Sequence, residues 1–584
     1  MNYPVWELEG SGLLIAIISI VHVFVSHFAV GGGLFLVLAE HKARRENDTG
    51  LLGYVRHHSR FFILLTLVFG AITGVGIWFA ITLVNPAATS SLINTFVWAW
   101  AIEWTFFLTE IAAAMVYYYG WDRLTARAHL AVGWVYFVAA FMSLVVINGI
   151  LTCMLTPGRW IETRGFWDGF FNPTYWPALV ARTFGAMGLA GLYALWTAAR
   201  LPDDGLQRKI ARWAGLRWVV PMTILLPVSL AWYFAAAAEA GVAVGEIFGT
   251  PSASLPAILA AALQGAGTSG YPFAQRAALV TTVATMVAFV VTLGIVFLRP
   301  ARYGRATASL LLVAGLLAIG GAEWVREDLR KPYVIGQYMF VNGVRLPAPA
   351  AVRQASHGVE DRFALDAVAT RGVLDASLWA HVPDGWRTVA TADAATRLRI
   401  ERQAGRECFK LQCSACHTLD GYNAIRPLVL GKSSAALDAI LGKLARPVTA
   451  TGEPAGWDEP GLRLATWRGR RMPPFAGSEA ERRALSVYLA SLEGEPEPVV
   501  ERPEAGGPGA AAFEAHCEAC HSPDGDWPIA ARLGGRDAAA WYDLLGRLDL
   551  VNANMPPFVG SEDERRALAD YLAGLAATPS GGAP

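Results

Sequence analysis

The chain has 584 residues, 54% of them apolar, and its 48 Lys and Arg balance 48 Asp and Glu, so the net charge is zero. Only 16% of residues are charged, against about 25% in a soluble protein, which excludes a disordered chain and gives no basic excess for nucleic-acid binding. Six cysteines are too few for a disulfide scaffold.

The average conceals two halves. Residues 1–324 hold 19 Lys and Arg and 15 Asp and Glu, whereas residues 325–584 hold 29 and 33. A bilayer core takes about 20 apolar residues per helix. Eight such runs lie near 11–39, 61–84, 93–119, 128–152, 176–199, 217–239, 279–298 and 306–324. The fold class expected is all-α: a polytopic transmembrane bundle over 1–324, then two small helical domains. The first run is too long, and too poor in preceding positive charge, for a cleaved signal peptide.

The loops after runs one, three, five and seven, counted with Arg217 at the start of run six, carry 15 Lys and Arg, including Lys42, Arg44, Arg45, Arg208, Lys209 and Arg302. The other loops carry Arg159 and Arg164, with Arg276 at the start of run seven. Basic loops face the cytoplasm. The N-terminus and the charged half are then expected on the periplasmic side of a bacterial inner membrane.

Residues 325–400 show no clear periodicity and read as an extracytoplasmic linker. Beyond them, Cys413-Ser-Ala-Cys416-His417 and Cys517-Glu-Ala-Cys520-His521 both spell C-x-x-C-H, in which two thiols bond the porphyrin vinyls and the His ligates iron. Each is followed by a matching tail: Met472-Pro-Pro-Phe-x-Gly-Ser then Glu481-Arg-Arg-Ala-Leu, and Met555-Pro-Pro-Phe-x-Gly-Ser then Glu564-Arg-Arg-Ala-Leu. A Met in a Pro-rich loop suits a second axial ligand, which raises the potential. A zinc or redox C-x-x-C is the alternative, and duplication of the whole pattern argues against it. The two copies resemble class I cytochrome c domains, over 401–495 and 507–577.

Ionisable residues in lipid are rare and functional by default. They are His22 and His27 in run one, Glu103 and Glu110 in run three, Arg182 in run five, and Glu323 and Glu327 at the end of run eight. Glu103 and Glu110 are two helical turns apart and share a face. That layout suits a proton path from the cytoplasm, or a pair of hydrogen-bonded structural carboxyls.

Several segments resemble the haem-bearing subunit I of cytochrome bd quinol oxidases. They are Val21-His22-Val-Phe-Val, Phe69-Gly-Ala-Ile-Thr-Gly, Ala101-Ile-Glu103 with Phe106-Phe-Leu-Thr-Glu110, Gly120-Trp-Asp-Arg-Leu124, and Glu323-Trp-Val-Arg-Glu327-Asp-Leu-Arg330-Lys-Pro332-Tyr333. The resemblance implies His22 as an axial ligand of an oxygen-site haem and Glu327 as the acidic ligand at the same di-haem centre. It implies Glu103 and Glu110 as proton-channel glutamates with a catalytic role.

The departures are as informative. The family's low-spin b haem takes a His from the fifth helix and a Met from the seventh. Here those places hold Arg182 and Arg276-Ala-Ala. The quinol loop after the sixth helix and the ninth helix also look absent.

The expectation is a membrane-bound, respiratory-chain haem oxidoreductase. Two covalent haem c groups on the outer side would feed one or two non-covalent haems of b or d type, which reduce O2 or another small oxidant with protons from the cytoplasm. Its partners would be membrane lipid, a second membrane subunit, and a periplasmic donor or quinol. The alternatives are an electron conduit without O2 chemistry, and a subunit that anchors cytochromes. Cys153 and Cys408 remain, either bridged or as buried thiols.

Overall fold

The computed structural model describes residues 8–248, 250, 254–264, 272–349, 352, 361–377, 380–382, 386, 393–448, 463–466, 472–493, 507–517, 536–548 and 558–577. Its chain divides into two compact units, which meet between Glu360 and Asp361.

Among the described residues the first unit holds a bundle of eight helices long and apolar enough to cross a membrane. They are α1 Ser11–Arg45, α2 Thr49–Val84, α3 Val97–Tyr119, α4 Ala126–Cys153, α5 Tyr175–Ala198, α6 Asp204–Glu239, α7 Pro272–Leu293 and α8 Arg305–Arg330. Several outrun their apolar segments. α2 begins at Thr49 because Asp48 caps it, accepting from Leu51 N at 2.9 Å. α6 begins at Asp204 under the Asp203 cap. Each cap satisfies backbone donors that would otherwise be orphaned, so an amphipathic turn is added at the membrane surface.

Small residues set the helix spacing. A Cβ on Gly31 would lie 2.0 Å from the Ala186 carbonyl oxygen, and one on Gly33 would lie 2.3 Å from the Tyr136 ring. α1 therefore packs on α5 and α4 only with glycine at both positions. Phe28, Phe35, Tyr54 and Phe62 fill the core beside them.

The segment expected to open the linker belongs to this unit. α8 runs on to Arg330, and β1 (Tyr333–Ile335) pairs antiparallel with β2 (Met339–Phe340). Val334, Ile335 and Met339 bury against Ala88 and Trp160, and Gly336 N donates to the Met154 carbonyl at 2.8 Å. Four apolar residues, Val334, Ile335, Met339 and Phe340, drive this docking; helical periodicity could not reveal it, because they lie in a hairpin.

In the second unit α9 (Ala394–Gln412) packs on α11 (Glu479–Ala490), with α10 (Ser434–Leu441) also on α11. The pattern repeats as α12 (Pro508–His516) on α14 (Glu562–Ala577), with α13 (Ala538–Leu545) on α14. β3 (Ala445–Val448) and β4 (Arg463–Thr466) form an antiparallel pair.

The two copies share their crossing. A Cβ on Gly405 would lie 2.0 Å from the Ala484 carbonyl oxygen and 2.7 Å from Tyr488 Cβ. On Gly509 it would lie 2.3 Å from the Ala567 oxygen and 2.7 Å from Tyr571 Cβ. Phe409–Tyr488 and Phe513–Tyr571 pack as tilted pairs beside these crossings with centroids 5.8 and 5.6 Å apart. Cys153 and Cys408 are both buried free thiols, not a bridge.

Candidate functional site

In both copies the first haem-motif cysteine, Cys413 or Cys517, caps the C-terminus of the helix before it. Burial, with Cys416 beside it, pushes the Cys413 thiol up to about 12, which keeps it as S–H at neutral pH. His417 Nδ1 lies 2.9 Å from the Asn423 carbonyl oxygen. A carbonyl only accepts, so Nδ1 carries the hydrogen and the lone pair is on Nε2. That fits an iron ligand oriented from behind. Asn423 reaches the place through a left-handed backbone (φ 51°) and ties back to the Cys416 carbonyl at 2.7 Å.

Met472 is half-buried in its Pro-rich loop. The loop is tied to the haem motif where Ala476 N donates to Gln412 Oε1 at 2.9 Å, one residue before Cys413. Cys520, His521 and Met555 lie outside the described residues.

In the membrane unit His22 Nδ1 lies 2.9 Å from Thr73 Oγ1. The Thr73 hydroxyl donates to the Phe69 carbonyl at 2.7 Å, so it accepts from the imidazole. The His22 lone pair is therefore also on Nε2, which fits an axial ligand. Gly74 keeps the ring uncrowded: a Cβ there would lie 3.2 Å from His22 Cε1.

Glu327 hydrogen-bonds Arg330 and lies 3.9 Å from Arg326. Among the described residues no hydrogen bond or ion pair joins it to His22. Glu323, on the same helix, accepts from Arg326 Nε at 2.7 Å and is 3.8 Å from Arg182. The mid-membrane arginine thus has a carboxylate partner.

Arg182, Tyr233, Ala278, Met286, Glu323 and Arg326 line one cavity of about 350 Å3. Both places where the resemblance puts the low-spin haem ligands, Arg182 and the Arg276-Ala-Ala segment that ends in Ala278, face it. Among the described lining residues there is no His.

α3 and α4 pack antiparallel along their length and carry three polar rungs. Ser143 Oγ donates to Glu103 Oε1 at 3.0 Å. Tyr136 OH lies 2.9 Å from Glu110 Oε1 and 3.1 Å from the Ala29 carbonyl oxygen. Its hydroxyl has one proton for two acceptors: it donates either to the Glu110 carboxylate, or to the Ala29 carbonyl while a protonated Glu110 donates to the Tyr136 oxygen, so the rung can hold Glu110 in either protonation state. In the third rung the Tyr117 and His129 rings meet at a tilt of 36°, centroids 4.2 Å apart.

That third rung and its partner Glu40 were not among the sequence candidates, because Glu40 and His129 stand at helix ends where surface residues are ordinary. The signal that could have found them is the spacing of seven, 103, 110 and 117 on α3 and 129, 136 and 143 on α4.

Residues 11–240 match the family model "Cytochrome bd terminal oxidase subunit I", and residues 504–572 match "Cytochrome C oxidase, cbb3-type, subunit III". The membrane unit is cytochrome bd oxidase-like. The chain is accordingly a membrane haem oxidoreductase of terminal-oxidase type. Among solved structures it is similar to the bd oxidase from Geobacillus thermodenitrificans, at 17% identity over 59% of this chain and 93% of that one, with a TM-score of 0.43. No curated protein matches it.

Proposed function

We propose that the chain is a bd-like oxidase fed by cytochrome c rather than by an internal low-spin haem. In this reading Cys413, Cys416, Cys517 and Cys520 would hold two covalent c haems, with His417 and Met472 and with His521 and Met555 as the residues that would ligate them, and these groups would supply one-electron transfer from an outer donor. A non-covalent haem of b or d type held by His22, with Glu327 as the acidic ligand at the same centre, supplies the redox chemistry that reduces O2 or a like oxidant.

This chain's own residues do the rest. Thr73 fixes the His22 ring, which leaves the Nε2 lone pair available to a haem iron without reorganisation. Glu110 and Glu103 hold and pass protons along the α3–α4 face, with Tyr136 and Ser143 as hydroxyl relays. The N-terminus and c haems stand on the periplasmic side, and protons rise from the cytoplasm. A second membrane subunit completes the assembly.

The observation that carries the reading is the cavity at Arg182 and Ala278. Arg182 stands where the resemblance expects the histidine ligand, no His lines the cavity among the described residues, and its one thioether, Met286 of α7, lies more than two helical turns beyond the Arg276-Ala-Ala segment where the Met is expected, while the second unit brings its own haem motifs. Haem counting by type, followed by CO addition to the reduced protein, tests it. The expected result is two c haems, a CO shift at a high-spin non-covalent haem, and reductant-driven O2 uptake. Six-coordinate haems alone, without a CO shift, would overturn it.

A further inference from the structure

Glu40 is fully buried near the C-terminal end of α1, one turn before Arg44. Three groups converge on its carboxyl. Arg44 Nε donates to Oε1 at 2.7 Å, Tyr117 OH donates to Oε2 at 2.8 Å, and His129 Nδ1 stands 2.9 Å from both oxygens. The His129 ring also packs at a tilt against Trp121, centroids 4.3 Å apart. Its other nitrogen, Nε2, lies 2.9 Å from the Tyr117 carbonyl oxygen.

The proton count follows from these contacts. A carbonyl cannot donate, so His129 Nε2 carries a hydrogen. The Nδ1–carboxyl contact then needs exactly one more proton, on Nδ1 or on Glu40, because two lone pairs facing each other in a buried site repel. The group is built to hold one exchangeable proton in either of two places. Arg44, about a quarter exposed (27%), connects it to the surface, where Lys42 pairs with Glu46.

The way inward is also built. Side chains on a helix lean toward its N-terminus. Tyr117 on α3 leans toward Glu110, and Tyr136 on antiparallel α4 leans toward His129. The two tyrosines therefore lean toward each other across one rung spacing, about 10 Å. Between them lies a small cavity of about 10 Å3 with mostly apolar walls, Leu36, Val37, Phe62 and Ala114 among them, and with Tyr117 and Tyr136 as its hydroxyl-bearing lining residues; one water would fit there only with those two hydroxyls as its partners. Side chains at either of its lining glycines would invade it: a Cβ on Gly33 meets the Tyr136 ring at 2.3 Å, and one on Gly133 meets Tyr117 at 3.1 Å.

We propose that Glu40 and His129 form the proton-loading site of this oxidase, and that Tyr117 passes the proton to the Tyr136–Glu110 rung. This rests on the reading of Glu110 and Glu103 as the proton path. In each transfer one O–H or N–H bond breaks at the donor and one O–H bond forms at the acceptor. Glu40 gives its proton to the Tyr117 oxygen as the Tyr117 proton leaves for the single water, which gives one to Tyr136 as Tyr136 gives its own to Glu110. Nothing is oxidised or reduced, and Glu40–His129 is refilled by one proton from solution at the Lys42–Arg45 end.

The test uses the full haem-loaded chain, with Glu40→Gln, Glu40→Asp, His129→Gln and the milder Tyr117→Phe. Proton uptake accompanying an electrochemical reduction step is followed with a pH dye, alongside haem content, c-haem reduction rate and O2 uptake. Glu40→Gln and His129→Gln are expected to slow proton uptake about 10-fold or more, Tyr117→Phe less, and Glu40→Asp to recover part of the rate. Haem content and c-haem reduction stay as in the unsubstituted protein.

Unslowed proton uptake in fully haem-loaded Glu40→Gln overturns the loading site and leaves the oxidase reading standing. If the unsubstituted protein consumes no O2 yet Glu40→Gln still slows proton uptake, the oxidase reading falls and the loading site stands. No proton uptake in the unsubstituted protein overturns both.

Discussion

Two candidate iron histidines stand in different solvents and are held by one device built from different parts. His417 gives its Nδ1 hydrogen to the carbonyl of Asn423, which a left-handed loop residue presents. His22 gives the same hydrogen to the Thr73 hydroxyl on a neighbouring helix. In water an irregular loop is inexpensive and a bent backbone can aim a carbonyl. In lipid every backbone group must be satisfied within the helix, so a side chain has to supply the acceptor. Thr73 can do so because its own proton is already spent on the Phe69 carbonyl. The Leu64–Phe69 stretch just before it is a π turn, a feature common at functional sites.

Removing the histidines separates the two regions most sharply. His22→Ala is expected to abolish the non-covalent haem and O2 uptake while both c haems remain, as read by pyridine haemochrome counting. Loss of all haem types together would break the comparison. Next in size, Glu110→Gln should lower O2 uptake about 100-fold with the haem spectrum unchanged; an unchanged rate would make the rung structural.

Thr73→Val tests the device itself. It keeps the shape and removes the acceptor, so haem affinity should fall about 10- to 100-fold, whereas Thr73→Ser should bind normally. Titrating haem into depleted protein reads this directly.

The two cytochrome-like copies supply a smaller contrast. Glu481 is fully buried and accepts from Val373 N, Leu374 N and Ser478 N at 3.0, 2.8 and 2.8 Å. Its counterpart Glu564 is exposed and, among the described residues, accepts from Ser561 alone. Glu481→Ala should destabilise its module by about 3 kcal/mol or more, since three backbone donors lose their partner. Glu564→Ala should leave the thermal unfolding of its module nearly unchanged. Smallest among the stability effects in the first copy is Ser478→Ala, which removes half of a capping box. It should cost about 1 kcal/mol and lower the Tm of that module by roughly 4–8 °C.

This contrast also marks where sequence reading stops. The tails Glu481-Arg-Arg-Ala-Leu and Glu564-Arg-Arg-Ala-Leu are the same string. Their burial differs because the short helix Val373–Ala376 lies on the first one, and that helix comes from the stretch that read as featureless linker. The other end of that stretch folds onto the membrane unit as a hairpin. Short apolar groups that bury only by meeting distant partners leave no period in the chain.

The amino-acid sequence by itself determined the eight apolar spans, the duplicated haem motif, and the place of the ionisable residues among them. Those properties depend on composition and on spacing along one chain, which transfer free energies and helix geometry convert directly into structure. Only the tertiary structure decided which nitrogen of each histidine keeps its lone pair, that Arg182 pairs with Glu323, and that Glu40 of α1 completes the rung between Tyr117 and His129. Each depends on an atom from another helix coming within about 3–4 Å, and no local pattern fixes which helix that will be. The opening balance of 48 against 48 charges is likewise decided by position. Buried pairs and surface loops contribute equally to that zero, and only the fold tells them apart.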